Sequence, residues 1–190
     1  MRPVTVLRHG LLADRAVAVA GGVAPAVVEA LTALGAQVKQ LGLALDEDSA
    51  RTWAAGVAPL DALVYDAGPT FLDGGQDNLG AALERGWVAS RGVATGALIP
   101  AGAGKVLLIA PPPGGGSFAA AARAALENLA RTLSVEWARY GVRSVAIAPG
   151  ARTGDVELAE LVCFLVSPAG DYFSGCLLEL GALDSLIRTS

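Results

Sequence analysis

Short apolar runs alternate along this chain with stretches whose apolar residues recur every three or four positions. The first run, Ala16–Ala20 (AVAVA), carries no polar side chain and reads as a strand buried on both faces. A Gly-Gly turn follows, then a helix over 23–34 that Gly35 ends, then a strand over 36–41. The range 46–55 predicts a short, weak helix, and 60–65 (LDALVY) a strand. A further helix spans 78–91; Gly92, Gly96 and Pro100 weaken its continuation towards residue 100. The run 106–110 (VLLIA) forms the central strand, Val142–Ala148 (VRSVAIA) the next, 156–165 a helix and 176–180 a last strand. Strands that alternate with helices in this way predict a mainly parallel sheet covered by helices on both faces, a three-layer α/β fold.

The longest helical pattern covers 117–138, SFAAAARAALENLARTLSVEWA. Ser117 offers an N-cap hydroxyl, and Gly141 ends the segment soon after its last turn. Ala122, Leu126, Leu129 and Leu133 fall on one stripe, which predicts a buried side. Arg123, Glu127 and Arg131 are spaced as two i,i+4 ion pairs on another side, worth about 0.2–0.5 kcal/mol each.

Composition narrows the class of protein. The 190 residues are 53% hydrophobic and the mean hydropathy is +0.51, which suits one domain with a sizeable core and excludes a disordered chain. The longest charge-free stretch, 106–122, contains Pro-Pro-Pro and Gly-Gly-Gly and cannot form a membrane-spanning helix. The first residues, MRPVTVLRHGLLADR, lack the continuous apolar core of a signal peptide, so a cytoplasmic location is expected. A net charge of −4 without any lysine-rich run excludes nucleic acid and anionic membrane as partners. Cys163 and Cys176 are expected as reduced, buried thiols, and a single histidine, His9, excludes a zinc-type site.

Several segments in order carry a likeness to a known family. DRAVAVAGG resembles a first strand opening into a glycine loop, and VVEALTALGAQV the helix and second strand after it. LDALVYDAG resembles an LDxLVNNAG segment, GKVLLIAPP the strand that ends at a catalytic serine, and YGVRSVAIAPGARTG the strand with a Pro-Gly motif. ELAELVCFLVSPAGDYFSGCLLELGA resembles a C-terminal helix and last strand. Over nearly its whole length the chain is thus similar to the short-chain dehydrogenases/reductases of 3-oxoacyl-carrier-protein reductase type. The resemblance implies a Rossmann-like fold and a site for NAD(P).

The departures from that family bear on function. The family's glycine loop wraps a pyrophosphate, whereas Ala20-Gly21-Gly22-Val23-Ala24 is about three residues shorter. Gly21 and Gly22 then serve either as a plain turn or as the approach to a single phosphate at the helix N-terminus. Between Val38 and Leu60 a strand–helix unit is missing, which turns the order 3-2-1-4-5-6 into the flavodoxin-like 2-1-3-4-5 with the last strand added. Lys39 stands at the resulting edge, either facing a 2′-phosphate or merely solvated. Asp66 and Gly68 belong to the LVYDAG segment, where Asp66 brings a negative charge towards the cofactor's place or acts only as a turn residue.

The catalytic set that the resemblance implies is absent. Ala110-Pro111 stands where the serine belongs, Ala119 at the tyrosine and Arg123 at the lysine, and no Tyr-x-x-x-Lys occurs elsewhere. Pro149-Gly150 survives, but Gly154 leads almost directly into the next helix, without a substrate lid. No catalytic and no metal-binding residue is therefore expected. The candidates for any retained nucleotide site are Gly21, Gly22, Asp66, Gly68, Arg123, Pro149 and Gly150. The leading expectation is an inactive relative without cofactor, a homo-oligomer (dimer or tetramer) or a partner of an active reductase, associating through 117–138 and 157–182. The alternative is an NAD(P)-dependent oxidoreductase or small nucleotide-binding protein with a reduced site.

Overall fold

The computed structural model describes residues 7–42, 46–71 and 76–181. Its centre is a six-stranded sheet in the order β2-β1-β3-β4-β5-β6, with every neighbouring pair parallel. The strands are β1 (Ala16–Ala20), β2 (Gln37–Gln40), β3 (Ala62–Asp66), β4 (Gly104–Ile109), β5 (Val142–Ala148) and β6 (Cys176–Glu179). The expected α/β class and flavodoxin-like order are both present. β2 and β6 form the two edges, each hydrogen-bonded to one neighbour only.

Helices cover both faces, which is why β1, β3 and β4 are buried at every position and are apolar except for Asp66 at the end of β3 and Lys105 near the start of β4. On one face α1 (Pro25–Ala33) packs beside α6 (Asp155–Val166), enclosing Val17, Val19, Leu107 and Ile147. On the other lie α2 (Glu47–Val57), α3 (Gln76–Val93) and α5 (Ala119–Glu136), over Leu63, Tyr65 and Leu108. Leu126 and Leu133 of α5 are fully buried, each contributing about 1.5–3 kcal/mol of apolar burial. Of the predicted stripe Ala122 is buried as well and Leu129 only partly covered; Ala130, outside that stripe, is buried in its place.

Several expectations about local structure need correcting. The helix over 46–55 is firmer than its sequence suggests. Asp46 caps it by accepting the Ser49 N–H at 2.7 Å, and Ala50 and Ala54 are buried against the next helix. Tertiary packing supplies what intrinsic propensity lacks. α3 does not end near Gly92: it continues through a π-helical turn (Ala94–Leu98) into a short α4 (Ile99–Ala101). Pro100 has no N–H for a regular helix bond, and the widened turn before it absorbs that loss. Gly92 and Gly96 lie where α2 crosses: a Cβ on Gly92 would stand 2.3 Å from that of Ala50, and one on Gly96 2.5 Å from the Arg51 carbonyl oxygen.

The long helix starts two residues later than expected. Phe118, not Ser117, is its cap residue, and no side chain caps it. The Pro-Pro-Pro-Gly-Gly-Gly loop delivers the chain in turns up to Phe118, so the Ser117 hydroxyl lies outside the first helical turn. Glu127 pairs with Arg131 at 2.6 Å, but Arg123 turns away from Glu127 to the strand ends. Both cysteines are free thiols; Cys163 is buried and Cys176 only partly so. No helix among the described residues is long and apolar enough to cross a membrane.

Candidate functional site

β1 and β3 lie side by side, yet their continuations leave on opposite faces, β1 towards α1 and β3 towards α3. Such a switch point opens a crevice at the carboxyl ends of the strands, where open α/β sheets take their ligands. Here it holds a cleft of about 350 Å³. Ala20, Leu41, Val88 and Ala89 form apolar walls, and Gln40, Thr70 and Arg85 supply polar groups.

Gly21 and Gly22 bound this cleft, and both need glycine. Their φ angles are +80° and +84°, and a Cβ on Gly21 would stand 2.2 Å from the Asp66 carbonyl oxygen. The turn thus rests directly on the end of β3. Gly22 in turn packs towards Pro69. α1 begins with Pro25 and has no side-chain cap, and its first turn contains no acidic residue. No described acceptor takes the N–H groups of Gly22, Val23 or Ala24.

Tyr65 forms part of the same wall. Its hydroxyl donates to the Ala82 carbonyl at 2.6 Å, and Gly86 leaves room for its ring. Burial pushes the phenol up to about 12, against opposing effects of a Thr70 hydrogen bond and the Arg85 charge. It therefore stays neutral and fixed, and is no substitute for a catalytic tyrosine. Asp66 is 6% exposed, with Oδ1 accepting the Gly68 N–H at 2.8 Å. Burial holds its carboxyl up at about 6; the Gly68 N–H opposes this and Asp155 adds to it. Of the two roles the sequence allowed, the contact to Gly68 is that of a turn-former.

The remaining candidates assemble elsewhere. Arg123 Nη1 donates to the carbonyls of Pro111 at 3.0 Å and Pro149 at 2.7 Å, while Nη2 lies 3.6 Å from Glu179. One guanidinium thus ties the exits of β4, β5 and β6 to α5. Gly150 donates its N–H to the Thr153 hydroxyl at 2.8 Å, and a Cβ on it would stand 2.4 Å from the Leu180 carbonyl oxygen. Ala119, at the tyrosine position, is 1% exposed. Gly68 lines a separate hollow of about 360 Å³ with Phe71 and the 111–116 loop. Of the seven predicted positions, only Gly21 and Gly22 line the switch-point cleft.

Sequence reasoning missed Gln40, Thr70 and Arg85, which reach the cleft from three separate segments. It also passed over Lys105, which heads β4. Lys105 Nζ donates to the carbonyls of Leu165 (2.7 Å), Val166 (3.3 Å) and Ser167 (2.5 Å) and pairs with Asp171 at 2.7 Å. It serves as a C-terminal cap for α6 at the end of the sheet away from the cleft. Burial lowers its pKa, while the hydrogen bond and charge of Asp171 oppose the fall. The one available signal was a lone lysine opening an otherwise apolar strand.

No family profile matches the sequence. Solved structures do match. A citronellol catabolism dehydrogenase from Pseudomonas aeruginosa PAO1 superposes with a TM-score of 0.76 at 24% identity, covering 94% of this chain and 98% of its own. A hydroxysteroid dehydrogenase from Escherichia coli gives 0.74 at 19% identity, with 90% and 97% covered. A protein assigned as an NAD(P)-dependent gluconate 5-dehydrogenase from Beutenbergia cavernae, with NADP bound at low occupancy, gives 0.71 at 22% identity, with 88% and 95% covered. At these identities the likeness is one of architecture: the chain has the Rossmann-like fold of these short-chain dehydrogenase/reductase structures.

Proposed function

We propose that this chain is a catalytically inactive relative of the reductases it resembles, acting by association with further copies of itself or with an active reductase. The observation that carries this reading is Arg123. At the position of the family's lysine, its guanidinium is spent on the Pro111 and Pro149 carbonyls, and the neighbouring tyrosine position is a buried alanine. No proton donor stands where a carbonyl would be reduced. The residues present do not fit NAD(P) either. The Gly21 turn lies flat on β3, Asp66 sets a carboxylate beside it, and the Pro149-Gly150 turn is packed against Leu180. In this reading Asp66, Gly68, Arg123, Pro149 and Gly150 maintain strand ends and turns.

Association is supported by the outer face of α3 and α5. Val135 is 78% exposed there and Trp87 36%, beside a hollow of about 570 Å³ also lined by Ile99, Trp137 and Tyr140. Arg91 lies over the Trp87 ring at 5.5 Å, and Arg139 over that of Tyr140 at 4.6 Å. Aromatic and arginine side chains around an apolar centre suit a protein interface. Native mass spectrometry of the purified chain is expected to show a dimer or tetramer, or a complex when an active reductase is co-expressed. NADPH oxidation with a panel of ketones should stay at the buffer rate. A strict monomer that captures no reductase, or measurable turnover, would refute the proposal.

A further inference from the structure

The surroundings of Lys105, at the end of the sheet away from the cleft, are those of a cation site. The side chain stands near the start of β4 and the residue is 8% exposed. Its ammonium meets the carbonyls of Leu165, Val166 and Ser167 and the Asp171 carboxylate, all of them acceptors. A neutral amine would turn its lone pair onto one of these oxygens, so the geometry calls for the charged form. Asp61 is claimed by Arg15 at 2.6 Å, which leaves Asp171 as the counter-charge of Lys105. Three carbonyls from one helix end and one carboxylate make a cage of hard oxygens with a single negative charge. Such a cage suits a monovalent cation, as carbonyl rings suit potassium in channel filters; calcium takes roughly six to eight oxygens and magnesium near-octahedral geometry.

The segment that leads into β6 completes the cage. After Ser167, which caps α6, the chain turns through Pro168–Tyr172. Gly170 packs so close to Leu165 that a Cβ on it would stand 2.2 Å from the Leu165 carbonyl oxygen. This fold-back sets Asp171 against Lys105 at 2.7 Å. The Gly175 N–H then donates to the Ser144 carbonyl at 2.8 Å, where β6 begins to pair with β5. β6 is four residues long and only partly buried, so it has few contacts of its own to hold it. Without a cation, the helix-end carbonyls and the carboxylate would repel one another across the turn that delivers the strand. We propose that the end of α6 is a monovalent-cation site filled by the chain's own Lys105 ammonium, and that β6 is seated in the sheet only while that site is filled.

Chemical rescue of the full chain tests this. Lys105→Ala empties the cage and should lower the melting temperature by about 5 °C or more. Ammonium chloride should recover about half of that loss or more, measured against tetramethylammonium chloride at equal ionic strength, an ion too bulky for the cage and without an N–H. The parent should melt alike in both salts. Cys176, the first residue of β6, reports on the strand. A maleimide should label it about tenfold faster in Lys105→Ala than in the parent, and ammonium should slow it again. Lys105→Met fills the space without a charge, so its Cys176 should label fast in both salts. Adding Asp171→Asn to Lys105→Ala should abolish the rescue. Equal melting of Lys105→Ala in the two salts overturns the proposal, as does a Lys105→Ala chain that folds in neither. So does labelling of Cys176 at the parental rate in Lys105→Met, or rescue that survives Asp171→Asn.

Discussion

The carboxyl of Asp66 is held near 6 by burial, against a free value of 3.8, so between about pH 4 and pH 6 the folded chain keeps a proton that the unfolded chain has released. Stability from this group is therefore full below pH 4 and is lost as pH rises through 6. Asp66→Asn keeps an acceptor for the Gly68 N–H and removes the dependence. Its urea-unfolding free energy should exceed that of the parent by about 1–3 kcal/mol at pH 7, and the gap should close by pH 4. A gap independent of pH would clear Asp66 of this role. Arg123 makes the opposite kind of contribution. Arg123→Ala leaves the Pro111 and Pro149 carbonyls without their charged donor and should lower stability by about 1.5–3 kcal/mol. Arg123→Lys should restore only part of it, because the guanidinium meets the two carbonyls through Nη1 and Glu179 through Nη2, whereas a lysine has one nitrogen for all three. Chemical denaturation of the two variants side by side decides between a clamp and a bystander. The sequence showed that a lysine had become Arg123. It could not show which carbonyls the arginine meets, because Pro149 is brought to it only by the parallel pairing of β4 with β5.

Every strand was legible in the sequence, and the bounds of β3 and β4 moved by up to two residues. β1 and β5 match their predicted bounds to the residue; β1 is buried throughout, and β5 at every position except Arg143. Helices were less legible where their glycines serve packing. Gly92 and Gly96 read as weak points in α3, yet they are where α2 comes close enough for Ala50 and Arg51 to touch the α3 backbone. Gly96→Leu should therefore destabilise by about 3 kcal/mol or more, well beyond the roughly 1 kcal/mol that helix propensity alone would return in the other direction. Thermal unfolding gives the sign directly. A neutral or stabilising result would mean that α2 does not pack as described. Ser117 misled for a related reason: a cap is set by where the preceding loop releases the backbone, which side-chain chemistry does not reveal.

At the scale of the whole molecule, strand order was readable because a missing strand–helix unit leaves a gap in length between Val38 and Leu60. The cleft was not, since Gln40, Thr70 and Arg85 come from a strand end, a turn and a helix. Association belongs to this scale as well. Val135→Lys places a charge on the exposed α5 face and should shift native masses towards monomer without altering the melting temperature. Unchanged assembly would move the interface away from α3 and α5.

The two ends of the sheet have different social behaviour. An edge strand presents a row of unsatisfied amide and carbonyl groups to any passing chain, and short length and charge are common defences against unwanted stacking. β2, reading Gln-Val-Lys-Gln, has both: Lys39 and two glutamines guard it, with Val38 its only apolar residue. β6, reading Cys-Leu-Leu-Glu, is equally short but carries Leu177 and Leu178 half-buried. Among the described residues, the β2 edge is thus guarded by charge and amides, whereas the β6 edge has only Glu179 to do so.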